Sequence, residues 1–169
     1  MKTKFAGSHH QSPLEQLYRN KTLWIGHMDS GTGDHLAGQT FNCPQEGQLK
    51  EIQVYSAEVS HPGKVVLTVH EFDGENKRWG PVISTSEIEV DKSDNESWMH
   101  FQLPGTAIHK DAAYGFRLKS DDALVAIGEA AWSGEVPPDL GDEWCISNFD
   151  NKEHYYHYFS LAFKVALRA

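Results

Sequence analysis

Cysteine and long apolar runs are both scarce in this chain of 169 residues. The two cysteines, Cys43 and Cys145, lie far apart without a C-x-x-C spacing, so neither a zinc knuckle nor a redox motif is indicated. They are predicted to be buried thiols, or to form one disulfide if the chain is exported. No run reaches the length of a membrane span, and the basic N-terminus lacks the apolar segment of a secretory signal. We therefore expect a soluble chain without an export signal, in a compartment that the sequence leaves open.

Basic residues are also few. Fifteen Lys and Arg stand against 24 Asp and Glu, which gives a formal net charge of -9. Most of the surface would therefore repel nucleic acid and anionic membranes, and no long basic run offsets this. We expect neither a nucleic-acid partner nor a membrane span.

Helical periodicity is nearly absent. It occurs only in SPLEQLYRN, residues 12–20, where Ser12 can cap a short helix that begins at Pro13. The rest of the chain consists of short apolar or alternating runs between turn signals, a pattern typical of an antiparallel β-sandwich or barrel. The predicted strands are 22–27, 36–43, 48–58, 64–72, 82–90, 97–103, 112–119, 123–129, 143–148 and 155–167.

Alternation along two of these strands predicts which side chains face the core. In 97–103 the inward set is Met99, Phe101 and Leu103, and in 112–119 it is Tyr114, Phe116 and Leu118. The remaining side chains of both strands should point outward.

Several segments together resemble the galactose-binding-like jelly-roll modules of exported bacterial proteins. They are GQTFNCPQEGQLKEIQVYSAEVSHPGKVVLTVHEFDG, GPVISTSEIEV, SWMHFQLPGTAIHKDAAYGFRLKS and SLAFKVAL. Gln39 and Phe41 open the first segment, Gly47 precedes its second strand, and Tyr114 and Phe116 form a Tyr-x-Phe pair. The resemblance spans most of residues 36–168 and implies a jelly-roll β-sandwich. With the helix signal above, the expected organisation is an N-terminal tail with a short helix over residues 1–21 and a jelly-roll β-sandwich domain over residues 22–169. It includes no catalytic signature.

The ten histidines do not show the spacing of a catalytic metal site. His70 is followed directly by Glu71, and His154 and His157 are three apart, so each pair would occupy opposite faces of a strand. We expect no cofactor on these residues. Calcium is common in modules that resemble this chain, and Asp29 with Asp34, or Asp139 with Asp142, could supply its oxygen ligands.

Catalytic signatures are equally scarce. No G-x-S-x-G elbow occurs, and neither cysteine lies in a recognisable nucleophile motif. A pair of facing carboxylates, as in a glycosidase or lyase, would leave no local spacing and therefore stays an alternative.

Two aromatic regions are candidates for ligand binding, because sugar rings stack on flat aromatic side chains beside polar groups. The first is the loop GEAAWSGEVPPDLGDEWC, residues 128–145. We predict that Trp132 contacts ligand and that Trp144 has core parity with Ile146. The alternative is that both indoles pack beneath the loop.

The second region is DNKEHYYHYFSLAFKVALRA, residues 150–169. Parity along one strand places Tyr155 and His157 on the core face, in line with Phe159, Leu161, Phe163, Val165 and Leu167. The outward set is His154, Tyr156, Tyr158, Ser160, Ala162 and Lys164. A similar outward set on other strands comprises Trp98, His100 and Arg117. The alternative is that the N-terminal segment around Leu14 and Tyr18 covers this surface.

These patterns predict a non-catalytic binding module whose expected ligand is a carbohydrate or glycan. A protein-interaction or structural domain that self-associates through outward aromatics is one alternative. A glycosidase or lyase with paired carboxylates is the other.

Overall fold

The computed structural model describes residues 10–27, 34–146 and 152–168, and this part of the chain is built from antiparallel β-strands. The described residues contain no α-helix and one short 3-10 helix, Lys92–Asp94. The strands are β1 (His10–Gln16), β2 (Lys21–His27), β3 (Asp34–Asn42), β4 (Gly47–His61), β5 (Gly63–Asp73), β6 (Arg78–Val90), β7 (Ser97–Ile108), β8 (Ala113–Lys119), β9 (Leu124–Ala131), β10 (Leu140–Ile146), β11 (Glu153–Tyr156), β12 (Phe159–Leu161) and β13 (Phe163–Arg168).

The strands form one continuous curled sheet in the order β1-β13-β4-β9-β2-β3-β8-β5-β6. The additional strands β7, β12 and β10 pair with β4, β9 and β3, and β11 pairs with β10. β4 lies in the middle of one half of the sheet, because it pairs with β7 along one edge and with β13 and then β9 along the other. The other half consists of β6, β5, β8, β3, β10 and β11.

The core lies between the two halves of the curled sheet. Phe163 of β13 contacts Phe41 of β3 and Phe116 of β8, with ring centroids 6.0 and 5.4 Å apart. The alternation predicted for β7 and β8 is confirmed, because Met99, Phe101, Leu103, Tyr114, Phe116 and Leu118 are all buried. On strands whose burial alternates, such as β4 and β5, the side chains of opposite parity therefore form two outer faces.

The predicted N-terminal helix is wrong, because His10–Gln16 form the edge strand β1 against β13. Leu14 and Gln16 alternate into the interior, whereas Leu17, which a helix would have buried, is exposed. Gln16 is held by a hydrogen bond from its amide to the carbonyl of Leu161. Pro13 is compatible with this strand because an edge position does not require its missing N–H group.

The strand predicted over 155–167 is interrupted. A turn at His157 and Tyr158 separates β11 from β12, and the chain then changes partners from β10 to β9 and β4. Tyr155 and His157 are therefore exposed rather than core, while Phe163 is buried as predicted. One strand cannot keep a single parity across a break. Phe159, predicted to be core, is accordingly half-buried, and Ser160 and Ala162, predicted to point outward, are buried.

Both cysteines lie in the described part of the chain, and they are not joined by a disulfide. Cys43 is buried at the end of β3, and this burial raises the pKa of its thiol. Cys145 lies on β10 opposite Ala37.

Candidate functional site

Four aromatic side chains form a row across the outer face of the half that contains β3 and β8. We call Phe72, Trp79, Trp144 and Tyr155 the aromatic row. Trp79 is 5.4 Å from Phe72 and 5.7 Å from Trp144, measured between ring centroids. Tyr155 is 4.5 Å from Trp144. The row connects β6 and β5 with β10 and β11, across two intervening strands.

Two glycines make room for the indole of Trp79 on those intervening strands. A Cβ atom at Gly115 of β8 would lie 2.6 Å from Cζ3 of Trp79, and one at Gly38 of β3 would lie 3.3 Å from Cη2. Any larger residue at Gly115 would collide with the ring. Glycine is therefore required here by close packing of a side chain on the sheet.

His70 packs against the indole of Trp79 and restricts its position. Its ring meets the indole edge-on at 5.2 Å, Nδ1 lies 3.1 Å from the carbonyl oxygen of Gly80, and Nε2 lies 2.8 Å from Oγ1 of Thr68. Burial lowers the pKa of His70. Both ring nitrogens are engaged, so this histidine acts as a support for the aromatic row.

Tyr155 is the exposed end of the row. Its ring stacks on Trp144 with an interplanar angle of 29°, and 48% of the residue is accessible. Trp144 beneath it is only 5% exposed. A buried indole thus supports an accessible phenol ring, which is a suitable platform for the apolar face of a ligand.

A polar cleft of about 350 Å³ opens beside this platform. The carboxylate of Asp142, itself buried, accepts a hydrogen bond of 2.6 Å from Nζ of Lys77 and faces Nδ1 of His157 at 3.1 Å. Lys77 also lies 5.6 Å from the ring centroid of Tyr155. We call Lys77, Asp142 and His157 the polar triad; Lys77 joins it to the platform.

A second ion pair borders the row. The guanidinium of Arg117 lies 4.1 Å from the ring centroid of Trp79 and donates a hydrogen bond of 2.6 Å to Glu153. Both cations near the row are thus paired with a carboxylate, so the surface combines aromatic rings with charges that balance one another. Such a surface offers both donors and acceptors without a strong preference for a charged ligand.

Of the predicted binding residues, only Arg117 borders this row. Trp132 is half-buried against the core, donates a hydrogen bond of 2.8 Å from Nε1 to Ser160 and contacts the ring of Tyr18 at 5.4 Å. Tyr156 contacts Phe159, and Tyr158 is 66% exposed in the adjacent turn. His154 lies on β11 opposite Cys145.

Trp98 and His100 lie on the opposite outer face, on β7. Trp98 meets Tyr55 edge-on at 5.3 Å, and His100 faces Glu51 at 3.1 Å. The predicted patch of Trp98, His100 and Arg117 therefore does not assemble, because β7 and β8 belong to different halves of the sheet.

The described residues contain no cluster of three His, Cys, Asp or Glu side chains arranged to hold a metal ion. Asp29 and the side chain of Asp34 lie outside the described residues. Both oxygens of Asp142 are engaged by Lys77 and His157. The described chain also has no helix with the length and apolar character needed to cross a membrane.

One carboxyl pair is present in the interior. Glu129 of β9 and Glu143 of β10 are hydrogen-bonded, and they are 6% and 2% exposed. Burial, then the hydrogen bond and the charge of Glu129, raise the pKa of Glu143 to about 10, while Lys21 opposes the shift. Glu143 therefore carries a proton at neutral pH, and the pair lies where the surrounding strands exclude a substrate.

The sequence predictions did not identify Trp79, Tyr155, Lys77 or His157 as site residues, and they named Asp142 only as a candidate calcium ligand. Trp79 and Trp144 come from segments distant in sequence, and only strand pairing brings them together. The available signal was the pair of small residues, Gly38 and Gly115, at outward positions of otherwise well-filled strands.

No protein-family model matches the chain, and no curated protein sequence does so. Solved structures do match. One is a clostridial cysteine protease, a variant of Cwp84 after propeptide cleavage, with a TM-score of 0.56 and 9% identity over 97% of this chain and 41% of that one. Another contains the cysteine protease and lectin-like domains of Cwp84, a surface layer associated protein of Clostridium difficile, with a TM-score of 0.51 and 9% identity over 88% of this chain and 36% of that one.

The chain spans less than half the length of these solved structures. At 9% identity the likeness shows a shared fold and carries no residue correspondence. The chain therefore has an all-β fold that also occurs in structures of a clostridial surface-layer protease.

Proposed function

We propose that the protein is a non-catalytic module that binds a carbohydrate or glycan on the aromatic row. The observation that carries this proposal is the half-exposed ring of Tyr155, stacked on buried Trp144 beside the polar triad. Sugar rings present C–H groups on one face and hydroxyls at the edge, so they need an aromatic platform with adjacent donors and acceptors.

The charge balance around the row favours a neutral sugar. Lys77 and Arg117 are paired with Asp142 and Glu153, so a neutral ligand would not leave either cation without its partner. Hydroxyl groups could share both members of each pair, because a hydroxyl donates and accepts.

Two further considerations support the proposal. One of the solved structures with a similar fold contains a lectin-like domain. The segments quoted above resemble galactose-binding-like jelly-roll modules, and a jelly roll is one way in which a curled antiparallel sheet encloses a core.

A glycan array probed with the parent protein and with Tyr155→Ala tests the proposal. We expect the parent to bind a subset of neutral glycans and Tyr155→Ala to lose them. Tyr18→Ala is the matched control, because Tyr18 is 51% exposed, close to the 48% of Tyr155, and its ring contacts Trp132 instead of the row or the polar triad. Duplicate arrays with calcium and with chelator determine whether calcium contributes. Retention of the same glycans by Tyr155→Ala would contradict this site.

Self-association is the second candidate function, and the exposed pair Tyr156 and Tyr158 favours it. Two accessible tyrosines on one short segment could bury apolar area against a second copy. Sedimentation of the parent over a range of concentrations tests this alternative, since a dimer that disappears in Tyr156→Ala/Tyr158→Ala would establish it. A monomer at all concentrations would contradict it.

The glycosidase or lyase alternative has less support. A catalytic carboxyl pair must reach its substrate, whereas Glu129 and Glu143 are both more than nine-tenths buried.

A further inference from the structure

The outer face of the other half of the sheet carries two cations on aromatic rings. The guanidinium carbon of Arg19 lies 3.7 Å from the ring centroid of Tyr55, and Nζ of Lys164 lies 4.3 Å from that of Trp98. The two rings are themselves in contact at 5.3 Å. Stacking on a π-face attracts a cation and restricts its freedom, so both positive charges are held close to one another on this face.

Neither cation has a carboxylate partner among the described residues. Arg19 donates to the backbone carbonyl of Leu17 at 3.1 Å, an exposed contact that leaves most of its N–H groups available. The nearest carboxylate by strand register is Glu15, opposite Lys164 on β1, and it forms no ion pair with Lys164. Glu51 is engaged by Gln53, His100 and Gln102.

A shallow cleft of about 460 Å³ is lined by Arg19 and Tyr55, next to the pair formed by Trp98 and Lys164. Its lining contains donors such as Arg19, Lys21 and Thr22, the ring of Tyr55, and no acidic side chain. An acid-free cleft with uncompensated positive charge is unusual on a chain with a formal net charge of -9. Charge complementarity therefore favours an anionic ligand here, in contrast to the balanced ion pairs of the aromatic row.

We infer that this face, which we call the cationic face (Arg19, Tyr55, Trp98 and Lys164), binds an anionic glycan chain. Each ring has one face occupied by a cation, so in this arrangement the rings position charge. The cleft is open and shallow, which suits an extended chain carrying carboxylate, sulfate or phosphate groups better than an enclosed free ion. This inference does not rest on the neutral-glycan site, which lies on the opposite outer face.

Dextran sulfate and neutral dextran provide a matched pair of probes, because they share a backbone and differ in charge. We expect the parent protein to bind dextran sulfate in calorimetry at low salt, to bind it more weakly as NaCl rises, and to ignore neutral dextran. Arg19→Gln/Lys164→Gln should weaken binding at least about ten-fold, and Arg19→Lys/Lys164→Arg should retain it.

The control is Lys110→Gln/Lys119→Gln, which removes the same charge from exposed positions off the cationic face; it should change binding less than about two-fold. Inorganic sulfate at the same sulfate concentration should fail to compete. The inference is overturned if dextran sulfate does not bind, if the control pair loses as much as Arg19→Gln/Lys164→Gln, or if inorganic sulfate displaces the polymer. Melting temperatures of all variants verify that each is folded.

Discussion

Phe116 illustrates how single buried residues hold the two halves of the sheet together. It is fully buried on β8 and contacts Phe163 of β13 across the core. Phe116→Ala should lower the free energy of unfolding by about 3–5 kcal/mol, because it leaves a cavity between the halves. Phe159→Ala, at a half-buried position, should cost clearly less in the same urea titration. Equal losses for the two variants would contradict the placement of the core.

Glu143 makes stability depend on pH. Its pKa is raised to about 10 in the folded chain, mainly by burial, so the folded state holds a proton that the unfolded state releases near the ordinary value of 4.5. The folded chain therefore gains stability from the protonated Glu143. This contribution to the free energy of unfolding is full below pH 4.5 and is lost progressively as the pH rises towards 10.

The free energy of unfolding of Glu143→Gln should therefore decrease less than that of the parent as the pH rises over this range. At pH 9 the variant should be more stable than the parent by at least about 1 kcal/mol. The amide cannot ionise and can still donate to Glu129. Unfolding free energies measured at intervals between pH 5 and pH 9 provide the measurement. Glu58→Gln, an exposed control on β4, should follow the parent curve. Parallel curves for Glu143→Gln and the parent would refute the assignment.

At the scale of strands, β8 shows why a small residue is needed on the outer face. Gly115 lies beneath the indole of Trp79, and a Cβ there would approach the ring to 2.6 Å. Gly115→Ala should destabilise the fold by about 1–3 kcal/mol and displace Trp79. Gly74→Ala is the control, since nothing lies within 4 Å of its added Cβ. Thermal melts together with tryptophan emission spectra report both effects, and identical melts for the two variants would count against the close packing described here.

The strands themselves were largely predictable from sequence. All ten predicted strands overlap observed ones, because alternation and turn residues report on local burial. β1 was missed because Ser12 and Pro13 also suit a helix start, and only pairing with β13 decides between the two structures. The break at His157 and Tyr158 was missed because a change of partner strand leaves no mark in the alternation.

At the scale of the whole molecule, the candidate site depends on contacts between distant segments. Trp144 was predicted to have core parity, which is wrong: it is buried, but on the outer face, where it lies between Trp79 and Tyr155. Arg117 and Trp98 both point outward, as predicted, but the sheet is curled and they lie on opposite outer faces. Alternation along a strand predicts on which face of the sheet each side chain lies. It does not predict the neighbours of that side chain, because these depend on the order of the strands, which the sequence pattern does not specify.

The central claim is that the platform of Tyr155 on Trp144 binds a neutral sugar. The most direct measurement is calorimetric titration of the strongest array glycan into the parent, Tyr155→Ala and Tyr18→Ala. The proposed site predicts that Tyr155→Ala weakens binding by about 1–3 kcal/mol, the loss of one stacked anchor, while Tyr18→Ala binds like the parent. Parent-like affinity in Tyr155→Ala, or an equal loss in Tyr18→Ala, would contradict it.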